Sequence, residues 1–221
     1  MSYEAIVFDL DGTLLNTLND LGNAVNRVLS QHGFPTHKLD QYRYFVGAGS
    51  KMLIRRALPE HQRNERVIDT CLQDFKNDYG QHWNVETSLY DGIPDMLDQL
   101  SYRRIKLAIL SNKPHEFTIR CVAEFLSKWT FDVVLGQQES IPLKPHPVAA
   151  FEIADRMNIP VSSFLYLGDS AVDMQTAIAA GMFPVGVMWG FRSPEELREN
   201  GAKALLQYPS DIFTKLTQYD T

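Results

Sequence analysis

The 221-residue chain is long enough for one large domain, or for a core domain with a smaller inserted one, and its 44% hydrophobic and 22% charged residues are typical of globular proteins. Its formal net charge is −6 and no run of Lys and Arg forms a basic stripe, which argues against nucleic acid as a partner. No stretch approaches the length of a membrane span and no targeting segment opens the chain, so we expect a cytoplasmic protein without a membrane partner.

The first predicted element is a short buried strand, Ala5–Phe8, that runs directly into two carboxylates. Asp9 and Asp11 are separated by a single residue, and Gly12 lets the chain turn. An apolar run without alternation is typical of a parallel sheet, in which ligands bind outside the carboxyl ends of the strands. The acidic pair is therefore a candidate site, although taken alone it fits an ordinary Asp-Gly turn equally well.

A helical region is predicted to follow, over residues 16–88. Asn16 can cap its first helix, and Ser50 can cap another that follows the loop at residues 46–49. A longer helix is predicted from one apolar face, which comprises Ile68, Cys71, Leu72, Phe75 and Tyr79. Because no strand pattern interrupts these helices, we expect an all-helical insertion after the first strand.

The pattern changes after the turn at residues 90–94, where helices begin to alternate with short apolar runs. Alternation of this kind predicts a parallel sheet with helices on both faces. With the first strand it gives about five strands, the other four being residues 107–110, 133–135, 164–167 and 185–189.

Polar residues follow two of these runs. Ser111, Asn112 and Lys113 come after the second strand and offer a hydroxyl and backbone donors that suit a phosphate oxygen, although alone they fit a helix cap better. Asp169 and Asp173 follow residues 164–167 and are separated by one helical turn, where an acidic helix cap is the simpler alternative.

Lys144 lies between these two stretches, directly before Pro145. The prolines at positions 145 and 147 stiffen the approach to the next helix and can fix where the lysine points. A lone lysine is ordinarily solvated, so Lys144 is a candidate site residue only because the other motifs accompany it.

These motifs, taken in this order, resemble those of the haloacid dehalogenase superfamily, and more closely its phosphoglycolate phosphatase-like group. The resemblance implies an α/β fold with a doubly wound parallel sheet, in which residues 1–15 and 89–221 form a Rossmann-like core and residues 16–88 a small all-helical cap domain. It rests on the stretches Asp9-x-Asp11-Gly12-Thr13-Leu14-Leu15, Val46-Gly47-Ala48-Gly49, Ser111-Asn112-Lys113-Pro114, Leu143-Lys144-Pro145, Gly168-Asp169-Ser170 and residues 190–197.

The resemblance further implies a Mg²⁺-dependent phosphatase that acts on a small phosphorylated metabolite through an aspartyl-phosphate. Asp9 would be the nucleophile, Asp11 the proton carrier, and Lys144 a bridge between nucleophile and phosphate. The implied ligands are Ser111, Asn112 and Lys144 for the phosphate, and Asp9, Asp11 through its backbone carbonyl, and Asp169 for Mg²⁺, with Asp173 supporting them.

Two alternatives remain open at this stage. A phosphomutase would use the same intermediate but return the phosphoryl group to a sugar, and a catalytically silent binding module would keep only the fold. The retained Asp11 argues against the silent module, which would need no proton carrier. A dehydrogenase is disfavoured because the pair Gly47 and Gly49 follows no strand and lacks the third glycine. A monomer or small homo-oligomer is expected.

Substrate choice is expected to depend on the cap, because the motifs that handle phosphate lie in the core. The loop at residues 46–51 is predicted to reach over the site. Four basic residues of this region are candidate contacts to a substrate anion: Arg43, Lys51, Arg55 and Arg56.

Overall fold

The computed structural model describes residues 3–217 and contains one large parallel sheet. The strands of the chain are β1 Ala5–Phe8, β2 Leu15–Asn16, β3 Ser88–Leu89, β4 Lys106–Pro114, β5 Val133–Gln137, β6 Phe164–Gly168, β7 Phe183–Val187 and β8 Ala204–Leu206. Six of them form the large sheet in the order β5-β4-β1-β6-β7-β8, with every neighbouring pair parallel. The chain extends the sheet first to one side of β1 and then to the other, which creates a topological switch point beside β1.

Helices fill both the connections and the insertion. They are α1 Leu18–Gln31, α2 Ser50–Ala57, α3 Glu65–His82, α4 Ile93–Tyr102, α5 His115–Phe125, α6 Val148–Met157, α7 Ala171–Ala180, α8 Pro194–Glu199 and α9 Ile212–Thr217. Within the described chain no helix combines the length and the apolar character needed to cross a membrane.

Both faces of the sheet are buried under helices, which explains the apolar runs without alternation. Ile6 and Phe8 of β1 belong to the apolar cluster on one face, whereas Ala5 and Val7 belong to the cluster on the other. The first cluster continues into α1 and α3, while the second packs against α6 and α7. The predicted α/β fold with a doubly wound sheet is confirmed.

Two details of the prediction are wrong. The sheet has six strands instead of about five, because β8 is only three residues long and carries too little apolar sequence to be recognised. The strand predicted at residues 185–189 lies at Phe183–Val187. Neither difference moves a candidate site residue.

The first helix begins one residue later than its predicted cap implies. Asn16 belongs to β2, which pairs antiparallel with β3, and Thr17 takes the N-cap position without a side-chain hydrogen bond. The Asn16 side-chain oxygen still accepts a long hydrogen bond, of 3.5 Å, from the N–H of Leu18, the first residue of the helix. This two-stranded ribbon lies where the chain leaves the sheet and where it returns. The division at residues 1–15, 16–88 and 89–221 stays a prediction, and residues 1–2 and 218–221 lie outside the described residues.

Candidate active site

The candidate residues other than Lys144 lie at or just beyond the carboxyl ends of three adjacent strands, whereas Lys144 lies between β5 and α6. Phe8, the last residue of β1, pairs with Ile109 of β4 and with Leu167 of β6. Asp9 follows directly, and its N–H donates to the Leu167 carbonyl at 2.9 Å. The parallel register therefore brings together the Asp9 carboxylate, the Ser111 hydroxyl region of β4 and the residues that follow β6.

Lys144 is the central cation of this site. Its ammonium group is almost completely buried and lies 2.9 Å from Asp9 Oδ1 and 2.7 Å from Asp173 Oδ1. It also donates to the Leu110 carbonyl at 3.0 Å. Burial lowers the pKa of Lys144, but the negative charges of Asp173 and Asp9 outweigh it and hold the pKa well above its usual value. Lys144 is therefore a fixed positive charge beside Asp9.

Asp173 supports the site from the first turn of α7. Its Oδ2 accepts hydrogen bonds from the backbone N–H and the hydroxyl of Ser170, at 3.1 and 2.6 Å, in a capping box. Its Oδ1 is occupied by Lys144. Both oxygens are thus used inside the protein, and Asp173 is placed to orient Lys144.

Asp169 lies between β6 and α7 and is held by the backbone of a later loop. The N–H of Phe191 donates to its Oδ2 at 2.7 Å. Gly12 makes this approach sterically possible, because a Cβ at Gly12 would lie 2.3 Å from Asp169 Oδ2. Its φ of +87° is also a conformation that side chains with a Cβ rarely adopt.

Asp9, Asp169 and Asp173 form a buried carboxylate cluster whose nearest oxygens lie within 4.8 Å of one another. Burial, and to a smaller extent the negative charge of Asp173, raises the pKa of Asp9 to about 7. Burial and the charges of Asp173 and Asp9 likewise raise the pKa of Asp169 well above its usual value. Three carboxylates against the single ammonium of Lys144 leave an excess of two negative charges when all are ionised.

This excess fits a divalent cation. Buried like charges are stable only when a counter-charge is present, and hard oxygen donors of this kind are the ligands that Mg²⁺ prefers. Asp9 and Asp169 each keep an oxygen that the hydrogen bonds described above do not use. The residues present therefore suit the predicted metal ion.

The side chain of Asn112 is fully engaged in hydrogen bonds within the protein. Its side-chain oxygen accepts from the Lys144 N–H at 2.9 Å, and its amide group donates to the carbonyls of Lys144 and Gly47 at 3.1 and 3.0 Å. The side chain thus joins the Lys144 loop to the loop before α2. Any contact between Asn112 and phosphate would have to come from its backbone.

Asp11 is separated from the carboxylate cluster. Both of its side-chain oxygens accept from the Lys113 ammonium, at 3.0 and 3.2 Å, and Lys113 also donates to the Tyr79 hydroxyl of α3 at 2.8 Å. Burial lowers the pKa of Lys113, but Asp11 and Tyr79 more than offset this and raise the pKa above its usual value. Lys113 lies in a stretch that was expected to offer backbone donors to phosphate, but no role for its side chain was predicted from the sequence. The contact could not be predicted from strand alternation, because the pairing of β4 with β5 is irregular between Leu110 and Pro114.

A cavity opens beside Asp9 and Asp11 under the helical insertion. Its volume is about 40 Å³, which is room for about three waters at the usual 10 to 15 Å³ each. Residues 46, 47, 49 and 50 line it, in agreement with the predicted position of the loop at residues 46–51. The remaining lining is mainly apolar and aromatic and includes Leu21, Leu53, Phe75, Tyr79 and Phe117.

The basic residues predicted to reach the substrate do not line this cavity. Lys51 pairs with Glu65 and Asp69, and Arg55 pairs with Glu65, all on the exposed side of the insertion. The other two are bound to backbone carbonyls: Arg43 to Gly190, and Arg56 to Tyr44 and Phe45.

Lys76 of α3 lines the cavity in their place. Its side chain is exposed, and within residues 3–217 it has neither a hydrogen-bond nor an ion-pair partner. The other lysine of the lining, Lys113, is already neutralised by Asp11. Lys76 is thus the cation of the described lining that remains available to an anion.

Known proteins similar to this chain include hydrolases of one family. The model of the haloacid dehalogenase-like hydrolase family matches residues 6–187. A phosphoglycolate phosphatase of Pseudomonas savastanoi pv. phaseolicola is 32% identical over 198 residues, which cover 88% of this chain and 72% of that protein. A phosphoglycolate phosphatase of Colwellia psychrerythraea is 31% identical over 218 residues, which cover 96% of this chain and 95% of that protein.

Solved structures give the same picture of the fold. A candidate phosphoglycolate phosphatase from Lactobacillus delbrueckii subsp. bulgaricus is 29% identical with a TM-score of 0.92, over 98% of this chain and 99% of that one. A protein from Haemophilus somnus, described as a predicted phosphoglycolate phosphatase, is 24% identical with a TM-score of 0.88, over 97% of this chain and 98% of that one. At that identity the second likeness concerns the fold alone.

Proposed function

Because this chain belongs to the family of haloacid dehalogenase-like hydrolases, we propose that it is a phosphoric monoester hydrolase that acts on a small phosphomonoester. The observation that supports this most strongly is the separation of Asp9 from Asp11. Asp9 lies in the carboxylate cluster beside Lys144, while Asp11 faces the cavity and pairs with Lys113. Two carboxylates in different surroundings can take different chemical roles.

In the first step an Asp9 oxygen would attack phosphorus and form an aspartyl-phosphate while the bond to the ester oxygen breaks. Asp11, carrying a proton, would transfer it to that departing oxygen. In the second step water would attack phosphorus, its proton would pass to Asp11, and the bond between phosphorus and Asp9 would break. Phosphate and an alcohol are released and both carboxyl groups return to their starting states.

Lys144 and Ser111 would contact the phosphoryl oxygens during both steps. Lys144 already lies 2.9 Å from the attacking carboxylate, so it can hold nucleophile and phosphate together. Ser111 is buried in the second half of β4, and its oxygen accepts only a 3.2 Å hydrogen bond from the Lys113 N–H, which leaves its hydroxyl proton for an acceptor. Asn112 would contribute through its backbone.

Asp9, Asp169 and the backbone carbonyl of Asp11 would hold Mg²⁺. Asp173 is occupied by Lys144 and Ser170 and would keep this set in position. The bound ion would offset the negative charge of the carboxylates and of the phosphate. A cytoplasmic location and a monomeric or small homo-oligomeric state remain predictions.

Mg²⁺ should raise the thermal stability of the protein, because it binds the folded cluster and not the unfolded chain. At about 100 times its Kd the gain in the free energy of unfolding is about 2.7 kcal/mol, or about 5 to 10 °C in Tm for a chain of this size. Asp169→Asn should lose most of this shift. Differential scanning fluorimetry with Mg²⁺ or with EDTA measures it.

The same variant provides an internal control. In EDTA, Asp169→Asn should be at least as stable as the wild type, because an amide oxygen still accepts from Phe191 and one of three like charges is gone. Asp98→Asn, on an exposed aspartate that pairs with Lys128, should shift with Mg²⁺ as the wild type does. Equal Mg²⁺ shifts in all three proteins would contradict the metal assignment.

The activity itself is tested by phosphate release from a panel of phosphomonoesters with Mg²⁺. The relatives named phosphoglycolate phosphatase make phosphoglycolate the first compound to assay. Transfer of the phosphoryl group to a second position on a sugar phosphate, without release of phosphate, would instead favour the phosphomutase.

We also propose that Lys76 selects substrates with a second anionic group, such as a carboxylate. Lys76→Met should lower kcat/KM for phosphoglycolate by about tenfold to a hundredfold, since a hydrogen bond to a charged group is worth about 1.5 to 3 kcal/mol. It should change kcat/KM for an uncharged phosphomonoester of similar size, such as ethyl phosphate, by less than about twofold, because that substrate offers no anion.

Lys51→Met is the matched control, because Lys51 is also an exposed lysine of the insertion but pairs with Glu65 and Asp69 and does not line the cavity. It should leave the ratio of the two kcat/KM values unchanged. If Lys51→Met shifts this ratio as much as Lys76→Met, or if neither variant shifts it, Lys76 is not the selecting residue.

A further inference from the structure

A chain of three hydrogen-bonded groups, of which Tyr79 and Lys113 are buried, connects the helical insertion to the proton carrier. Tyr79 of α3 is 1% exposed, and its hydroxyl lies 2.8 Å from the Lys113 ammonium. That ammonium lies 3.0 and 3.2 Å from the two oxygens of Asp11. A single buried nitrogen therefore contacts Asp11 on one side and the insertion on the other.

These contacts leave the Asp11 side chain little freedom. The three protons of the Lys113 ammonium match three acceptors, namely the two Asp11 oxygens and the Tyr79 hydroxyl. The tyrosine is fixed in turn, because its ring stacks on Phe75 and meets the edge of Phe117 at centroid distances of 5.4 and 5.1 Å. If Tyr79 were withdrawn, Lys113 would lose a partner that it cannot easily replace in an apolar setting.

Neither Lys113 nor Tyr79 belongs to the carboxylate cluster. The cluster comprises Asp9, Asp169 and Asp173 and is served by Lys144. Lys113 pairs with Asp11 alone among the carboxylates of residues 3–217. Any catalytic function of Lys113 must therefore act through Asp11.

We propose that Lys113 and Tyr79 are positioning residues for Asp11: Lys113 holds the carboxylate in one orientation, and Tyr79 makes that orientation depend on α3 being packed over the site. This inference rests on the proposed function. Proton transfer requires the carboxyl group and its partner to be within hydrogen-bond reach, so it depends on this orientation. Attack by Asp9 on phosphorus does not.

The second step should be slowed most when these contacts are lost. Lys113 contacts the ionised carboxylate, which is the form that takes a proton from the attacking water. With misaligned Asp11, an aryl phosphate whose leaving group needs no proton should still phosphorylate Asp9, but the phosphoenzyme should then hydrolyse slowly. This predicts a burst of the aryl product followed by slow turnover.

The test compares Tyr79→Phe with Tyr42→Phe in rapid-mixing assays with 2,4-dinitrophenyl phosphate and Mg²⁺. Tyr42 is also a buried tyrosine of the insertion, but its hydroxyl bonds Asn26 and not the core. Tyr79→Phe should lower steady-state turnover by about tenfold while the rate of the burst changes by less than about twofold. Tyr42→Phe should behave as the wild type in both phases.

Lys113→Met should show the same pattern with a larger fall in turnover, of about a hundredfold, because general base catalysis contributes about 10²-fold or more. If that variant fails to fold, Tyr79→Phe alone decides the outcome. The proposal is overturned if Tyr79→Phe slows burst and turnover equally, or slows neither. Failure of the proposed function is a separate result: the wild type would then release no phosphate, or Asp9→Asn would release it normally.

Discussion

Replacing Asp9 with asparagine should lower phosphate release by about 10⁴-fold or more, the scale seen when a catalytic nucleophile is removed. The amide has no anionic oxygen with which to attack phosphorus, and it weakens the attraction of Lys144, which lies 2.9 Å away. The replacement is nearly isosteric and removes one of three crowded negative charges, so the protein should remain folded. Initial rates of phosphate release from phosphoglycolate with saturating Mg²⁺ measure the effect.

The control for this experiment is Asp98→Asn, the same chemical change at an exposed position that belongs neither to the carboxylate cluster nor to the cavity lining. It should retain the wild-type rate, and circular dichroism should show both variants to be folded. An Asp9→Asn protein with more than about a tenth of the wild-type rate would mean that another group attacks phosphorus.

Replacing Asp11 with asparagine should lower turnover of phosphoglycolate by about 10²-fold to 10⁴-fold, the usual contribution of a general acid or base. Asparagine can neither give a proton to the departing oxygen nor take one from water. With 2,4-dinitrophenyl phosphate the first step should be nearly normal, because dinitrophenolate departs without a proton. The phosphoenzyme should then accumulate, and an acid quench followed by intact-protein mass spectrometry detects it.

This pattern separates the two aspartates of the motif. Asp9→Asn should give neither burst nor phosphoenzyme, whereas Asp11→Asn should give both with slow turnover. If Asp11→Asn forms the phosphoenzyme slowly from the aryl phosphate as well, the role of Asp11 is not limited to proton transfer. If it turns over phosphoglycolate normally, Asp11 is not the proton carrier.

The sequence was most informative where local pattern and strand direction act together. The buried strand Ala5–Phe8 could be predicted from its apolar run, and the carboxyl ends of parallel strands meet at one edge of the sheet. It follows that Asp9 and Asp169 should be close, as the structure has them. The short strand Ala204–Leu206 carries no comparable signal, because its three residues are stabilised by pairing with β7 and not by their own sequence.

Contacts across the helical insertion could not be predicted in the same way. Lys113 of β4 contacts Tyr79, which lies on α3, 34 positions earlier in the chain. No sequence pattern predicts which residue of a helix will contact which residue of a strand. The positions of the basic residues proposed for substrate contact could not be predicted for a related reason. Lys51 and Arg55 share a face of α2, but that face meets Glu65 and Asp69 of α3 and not the cavity.

The most direct test of the account is to find where the phosphoryl group resides during turnover. Wild-type protein mixed with phosphoglycolate and Mg²⁺ should be quenched in acid within milliseconds, digested and mapped by mass spectrometry. We expect a hydroxylamine-sensitive phosphoryl group on Asp9, absent from Asp9→Asn and more abundant in Asp11→Asn. A phosphoryl group on any other residue, or phosphate release with none on Asp9 in Asp11→Asn, would contradict it.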